Sequence, residues 1–323
     1  MTLQKKTTWD SVFKKEVFEG LNSYPKYLSS KFIYDKKGDE LFQDIMAMPE
    51  YYLTDSEYEI FDSYTVAITN HFKANSEAFD LIELGAGDGK KTKILLKYLT
   101  EKNIDFCYKP IDISQNAIDD LTKTLKTELP KVNVEAEKGE YFEVLERLKT
   151  FDKRKKVIMF LGSNIGNLLH SRAIQFLSKL REAMSQDDLL FIGFDKKKNP
   201  QTILNAYNDP SGITAAFNKN LLTRINSELG GDFDLEKFIH WELYNPETGT
   251  AKSFLVANKA QSVHISALDI TIDFSQWETI HTEISQKYDD KTISWLAKES
   301  KLTIADSFSG KKNYYKNYIF KCS

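Results

Sequence analysis

Two short stretches hold residue types that could do chemistry. In "LIELGAGDGKK", Gly85, Gly87 and Gly89 punctuate a turn between an apolar run and a basic segment. In "YKPIDIS", Asp112 stands 25 positions after Gly87. A glycine-rich turn leaving a strand lets backbone N–H groups approach a ligand closely. An acid at the end of the next strand can accept both hydroxyls of a ribose. Together they suit an adenosine-bearing ligand. The spacing is G-x-G-x-G, however, and dinucleotide binders use G-x-G-x-x-G. Asp88 stands where a pyrophosphate would approach, and Glu83 precedes it. A fixed negative charge 4 Å from a phosphate costs about 1 kcal/mol even in water. The turn therefore favours a ligand with a cationic end. S-adenosylmethionine has a sulfonium, an ammonium and no phosphate, and meets that requirement better than NAD. The bland alternative is a tight turn that holds nothing.

The surrounding text supplies the elements to position these residues. "FDLIELG", "FCYKPIDIS", "VNVEAEKG", "KVIMFLGS" and "DLLFIGFD" read as strands. Helical text alternates with them, over Lys90–Leu99, Gln115–Leu129, "YFEVLERLK" and His170–Met184. Such alternation means an α/β, Rossmann-like parallel sheet covered on both faces. Before it, a short helix is expected from Asp39 to Met48. A second should start at Thr54, with Glu57 three residues on completing a capping box. After Asp195 the alternation stops. Helical text and antiparallel strands about "NPETGT" follow, and a helix and two strands near the end return to complete the parallel sheet. The expected division is 60–197 with 288–323 as one domain, and 1–59 with 198–287 as an α+β lobe.

Composition narrows the function. The chain has 323 residues, 28% of them charged, and a net charge of -3, which does not point to a nucleic-acid partner. The basic runs "DKRKK" (152–156) and "DKKK" (195–198) read as solvated loops. Cys107 and Cys322 lie in apolar text and are expected as buried thiols. The five histidines are scattered, without metal-ligand spacing, so no metal is expected. No signal peptide and no membrane-length apolar run is visible, so the expected location is cytoplasmic. A monomer is the default expectation.

Longer blocks carry a resemblance: "KFIYDKKGDELFQDIMAMPEYYLTDSE", "LIELGAGDGKKT", "FLGSNIGNL", "AYNDPSGITAAFNKNLLTRINSELGGDFDL", "ISALDITIDF" and "TEISQKY". With these the chain resembles the L-histidine N-alpha-methyltransferases of ergothioneine biosynthesis, which make the betaine hercynine. The resemblance implies a class I S-adenosylmethionine-dependent methyltransferase sheet, a second lobe for substrate binding and an amino-acid substrate. By it, Tyr34, Gly85, Gly87, Lys91, Asp112, Glu140 and Tyr141 correspond to cofactor contacts. The family has Asp-Phe where this chain has Glu140-Tyr141. Tyr51, Gly162, Asn167 and Tyr207 correspond to contacts with the amino acid, and Glu283 and Ser285 to the pair that reads the imidazole. Gly162, Asn167 and Tyr34 surround the reacting centre. Where well-known members carry Met in the substrate lobe, this chain has Ser253.

These residue types suit the chemistry. Methyl transfer from a sulfonium is an in-line displacement, so most of its rate can come from alignment, roughly 7–11 kcal/mol. An α-amine with pKa about 8 needs no strong base. The Gly162 carbonyl could take one amine N–H, and Asn167 and Tyr207 the carboxylate. Glu283 and Ser285, at i and i+2 of a strand, share a face and so reach one ring. Each also has a plainer reading: Asn167 as a helix cap, Tyr51 and Tyr207 as core aromatics, "TEIS" as a strand with a wet face. Two rivals stand beside histidine methylation. One is a methyltransferase acting on another aromatic amino acid or a biogenic amine, motivated by Ser253. The other is a non-catalytic adenosylmethionine- or NAD-binding protein.

Overall fold

The computed structural model describes residues 9–76, 78–140, 143–144 and 154–323. Its elements in chain order are α1 Val12–Leu21, β1 Lys26–Tyr27, α2 Lys36–Ala47, α3 Tyr52–Lys73, β2 Ala78–Leu84, α4 Thr92–Glu101, β3 Asp105–Asp112, α5 Gln115–Glu128, β4 Asn133–Val134, β5 Glu137–Lys138, β6 Lys155–Phe160, α6 His170–Ala183, β7 Leu189–Asp195, α7 Pro200–Tyr207, α8 Ile213–Leu229, β8 Phe238–Asn245, β9 Thr250–Ala257, β10 Gln261–Ile265, β11 Ile270–Phe274, β12 Thr279–Gln286, α9 Asp290–Glu299, β13 Leu302–Ser309 and β14 Tyr315–Cys322. Two compact units result. One comprises 1–50, 203–244 and 251–283, and the other 51–202, 245–250 and 284–323.

The larger unit is built on one sheet with strand order β13-β14-β7-β6-β2-β3-β4, and β5 beside β3. The strands β4, β3, β2, β6 and β7 run parallel. Both faces are buried, and the period of two sorts the side chains between them. Leu81, Val157, Met159 and Phe191 enter one apolar cluster. Their neighbours Ile82, Ile158, Phe160 and Ile192 enter the other. The last two strands do join this sheet, and β13 runs in the direction of β7, but β14 between them pairs antiparallel with both, which corrects the expectation that both extend the parallel set. The cause is the short connection 310–314. A parallel pair needs a crossover of a dozen residues or more, and a turn of this length can only reverse the chain.

Helix α3 belongs to this unit and packs through Ile60, Phe61, Ile68 and Phe72. It starts earlier than its sequence suggests. Tyr51 is the N-cap residue, Thr54 lies within the first turn, and the capping box does not form. Glu57 is instead wholly buried and spends its carboxylate on long-range partners. The charged runs also depart from expectation. Lys156 forms a buried pair with Asp188 at 3.0 Å, and Asp195 is fully buried with Lys198. Asp152 and Lys153 lie outside the described residues, but Lys155 and Lys156 begin β6 and Asp195 ends β7, so these are strand residues and not solvated loops. Cys107 and Cys322 are free and buried.

The smaller unit carries the sheet β1-β12-β9-β8 and the antiparallel pair β10-β11. Helix α2 begins at Lys36, three residues before the expected start, because Asp35 caps it by accepting the Gly38 N–H at 2.8 Å. Helix α8 turns Phe217, Leu221, Leu222 and Ile225 inward. Its Asn220 side chain donates to the Ile33 carbonyl and to Asp35, which fixes the segment that presents Tyr34.

Candidate active site

The sheet's parallel strands deliver their C-terminal ends to one edge, where ligands bind in folds of this type. β2 ends in the glycine turn. Gly85, Gly87 and Gly89 have φ of 74°, 53° and 62°. These left-handed values are open to glycine at little cost. The Gly85 N–H donates to the Ile111 carbonyl at 2.7 Å, and the Gly87 N–H to Asp112 Oδ2 at 3.0 Å. Asp112 Oδ1 accepts the Ser114 N–H at 3.0 Å. Burial raises the Asp112 pKa, against the pull of these backbone donors. Each carboxylate oxygen has two acceptor positions, so capacity remains for the two hydroxyls of a ribose. The residues thus fit an adenosine group. Asp88 turns back on the loop and accepts the Lys90 N–H at 3.0 Å.

Glu83 does not face the turn, contrary to its expected part in repelling phosphate. Its side chain points into the protein, 2% exposed, accepting from Tyr108 Oη at 2.5 Å and Thr92 Oγ1 at 2.9 Å. Burial pushes its pKa up to about 7.

Beside β2, strand β6 ends in a second turn. Gly162 has φ 66° and is exposed, and Ser163 follows at φ 58°, ψ 25°. A non-glycine residue held there costs about 1–2 kcal/mol, a strain that persists only where its surroundings enforce it. The enforcement is visible. Glu57 Oε2 accepts the Gly162 N–H at 2.8 Å and Lys91 Nζ at 2.6 Å. Glu57 Oε1 accepts Asn317 Nδ2 at 2.8 Å. The Ser163 N–H donates to Tyr315 Oη at 2.6 Å, and Ser163 Oγ accepts the Asp195 N–H at 3.2 Å. Asn164 Nδ2 reaches the Gly85 carbonyl at 3.5 Å, tying the two turns together. Asn167 closes the short helical turn Asn164–Asn167 and is exposed. It does not cap α6, whose N-cap is Leu169.

At the end of β7 lies a charged group that sequence reasoning missed. Asp195 meets Lys287 Nζ at 2.7 Å, the Lys198 ammonium and Tyr52 Oη at 2.9 Å. Burial opposes the Asp195 charge, but the two ammoniums outweigh it and lower its pKa. Burial likewise lowers Lys198, to about 8. Lys287 Nζ also donates to Ser285 Oγ at 2.7 Å.

The larger unit therefore brings Gly85, Gly87, Lys91, Asp112, Gly162 and Asn167 to the ends of adjacent strands. Tyr51, half-buried, packs on its core, and Ser285 is tied to the Asp195 group. Glu140 is exposed after β5, and Tyr141 lies outside the described residues. In the smaller unit, Tyr34 is half-buried, edge-on to Phe42 and Phe217 at 5.6 and 5.5 Å. Tyr207 ends α7, with its carbonyl accepting from His240 Nε2 at 2.9 Å. Glu283 is half-buried on β12. Ser253 is buried on β9 and donates to Glu242 Oε2 at 2.7 Å. Its hydroxyl is already spent on a carboxylate of its own unit.

Glu57, Tyr315, Asn317, Asp195 and Lys287 carried no sequence signal for these roles, since their partners lie as far as 260 positions away. Only the strained end of β6 could have hinted at them, through the glycine of "LGSN".

Comparison with known proteins gives the family. The family described as histidine-specific methyltransferase, SAM-dependent, matches residues 13–322. The histidine N-alpha-methyltransferase of Mycolicibacterium smegmatis is 34% identical over 280 residues, covering 87% of this chain and 85% of that one. Ergothioneine biosynthesis protein 1 of Schizosaccharomyces pombe is 27% identical over 300 residues, covering 90% of this chain and 38% of that protein. Among solved structures, magnesium protoporphyrin IX methyltransferase of Synechocystis PCC 6803 superposes with a TM-score of 0.48 at 10% identity, covering 92% of this chain and 98% of that one. With the family matched over nearly its whole length, this chain is a member of the histidine-specific, S-adenosylmethionine-dependent methyltransferases.

Proposed function

We propose that this enzyme transfers methyl groups from S-adenosylmethionine to the α-amino nitrogen of L-histidine, up to the trimethylated betaine hercynine. The observation that carries the reading is the meeting of two turns at adjacent strand ends: the glycine turn with Asp112, and the Gly162 turn tied to Lys91 through Glu57. The first turn suits adenosine, and the second offers a carbonyl to an amine. Tyr34, Gly85, Gly87, Lys91, Asp112, Glu140 and Tyr141 are the cofactor contacts in this reading. Asn167 and Tyr207 hold the substrate carboxylate, Tyr51 is a further substrate contact, and Glu283 with Ser285 reads the imidazole.

Bound S-adenosylmethionine supplies a methyl group on a sulfonium: the amine lone pair forms the C–N bond as the C–S bond breaks, its electron pair going to sulfur. The protein's part is orientation. The Gly162 carbonyl accepts an amine N–H and so aims the lone pair, and protons shed by the ammonium between transfers leave to water. No base of high strength is needed at an amine of pKa about 8. Mass spectrometry of a reaction with histidine and S-adenosylmethionine tests the reading. Mass gained on the ring nitrogens, with none on the α-nitrogen, would overturn it.

A further inference from the structure

We infer that Tyr315 is a positioning residue for the Gly162 carbonyl, working with Glu57 in a space that only Gly193 leaves open. The inference rests on the reading just given, in which that carbonyl receives the substrate amine. Its own evidence is the geometry of one peptide group.

The Gly162 carbonyl and the Ser163 N–H belong to the same peptide. In a trans peptide the two point in opposite directions. The Ser163 N–H points into the protein, to Tyr315 Oη at 2.6 Å, and Tyr315 is 1% exposed. The carbonyl must therefore point outward, on the side where Gly162 is exposed. Whatever fixes the Tyr315 hydroxyl fixes the carbonyl too. That hydroxyl accepts from Ser163, and it lies beside Glu57 Oε1 over Gly193, where burial first and then the carboxylate's charge raise its pKa. Glu57 in turn accepts the preceding N–H, that of Gly162. Glu57 thus holds the Gly162 N–H directly, and its other oxygen sits beside the hydroxyl that holds the next peptide.

The strand behind them confirms that the arrangement is built. A Cβ on Gly193 would lie 2.2 Å from Tyr315 Oη and 2.3 Å from Glu57 Oε1. Any side chain there would expel the pair. Tyr315 lies opposite Asp195 in the sheet register, and the Asp195 N–H holds Ser163 Oγ. The left-handed Ser163 is gripped from both sides.

The test uses the α-nitrogen itself. Histidine and its monomethyl form offer an N–H to a carbonyl, and neutral α-N,N-dimethylhistidine offers none. Each is methylated separately by the purified enzyme, with S-adenosylmethionine affinity and melting temperature measured alongside. Tyr315→Phe removes one oxygen, and Gly193→Ala displaces the same hydroxyl from behind. In Tyr315→Phe, turnover of histidine and of the monomethyl form should fall about 10- to 100-fold, the range for a misplaced group at a reacting centre. Turnover of the dimethyl form should fall less than about 3-fold on the same grounds. Gly193→Ala should reproduce the split. A merely structural role predicts equal losses on all three substrates, and that result overturns the inference, as does wild-type turnover in Tyr315→Phe. A wild-type enzyme that leaves the α-nitrogen of histidine unmethylated overturns the underlying reading instead.

Discussion

The buried carboxylate of Glu57 accepts the Gly162 N–H at 2.8 Å while it pairs with Lys91 at 2.6 Å, so helix α3 holds the end of strand β6. Removing it strands an ammonium and leaves buried donors without an acceptor. Glu57→Ala should destabilise the protein by about 2–4 kcal/mol, toward the lower part of the range for breaking a buried pair because Lys91 keeps some solvent access. Denaturant unfolding measures this. Glu57→Gln retains an acceptor for Gly162 and should lose less. Equal stability of Glu57→Ala and wild type would contradict the assignment.

Asp112 is predicted to anchor the ribose. Asp112→Ala should weaken S-adenosylmethionine binding by roughly 1.5–3 kcal/mol, the range for hydrogen bonds to a charged group. Titration calorimetry on the folded variant reads this directly, and an unchanged affinity would remove Asp112 from the cofactor site.

Glu83 makes a pH prediction. Its folded pKa is raised to about 7 from 4.5, chiefly by burial. The folded state therefore holds a proton that the unfolded state releases between these values. Stability from this group is fully present below pH 4.5 and is lost as pH rises through 7. Glu83→Gln keeps one oxygen as acceptor and offers its amide N–H to the other hydroxyl, which can accept, without the buried charge. It should be more stable than wild type at pH 8, by up to the order of 3 kcal/mol. Melting curves from pH 4 to pH 8 test the slope. Parallel profiles for the two proteins would refute the burial argument.

Lys287 is predicted to hold Ser285 for its proposed ring contact. Its fully buried ammonium bridges Asp195 and Ser285 Oγ. Lys287→Met should cost about 3 kcal/mol in stability, since Asp195 keeps Lys198 but loses half of its compensation. The Michaelis constant for histidine should rise while S-adenosylmethionine affinity holds. A rise in both, or in neither, argues against the link to Ser285.

Much of this was legible in the sequence. The apolar runs of β2, β6 and β7 announce a doubly covered sheet, and the glycines with Asp112 announce two strand ends that meet, through the Gly87 N–H on Asp112. What stayed hidden has a common physical cause. Glu57 sits three residues after Thr54, and a local capping box is the natural reading. The tertiary fold instead offers it Lys91, Gly162 and Asn317, and a buried charge takes those partners over one exposed backbone N–H. Lys198 and Asp195 read as a solvated basic run for the same reason. The direction of β14 followed from the length of a turn, and strand text carries no direction of its own.

The central claim is histidine as the substrate, with Glu283 accepting a ring N–H. One competition measures it: equal histidine, tryptophan, tyrosine and phenylalanine, limiting S-adenosylmethionine, and products resolved by mass spectrometry for wild type and Glu283→Ala. A site built to hydrogen-bond a substrate group rejects an analogue without it by about 10⁴-fold, so wild type should methylate histidine almost alone. In Glu283→Ala histidine should lose its lead, and tryptophan should gain. A wild-type preference for another ring would contradict the account, and a mutant that keeps the wild-type ranking would remove Glu283 as the selector.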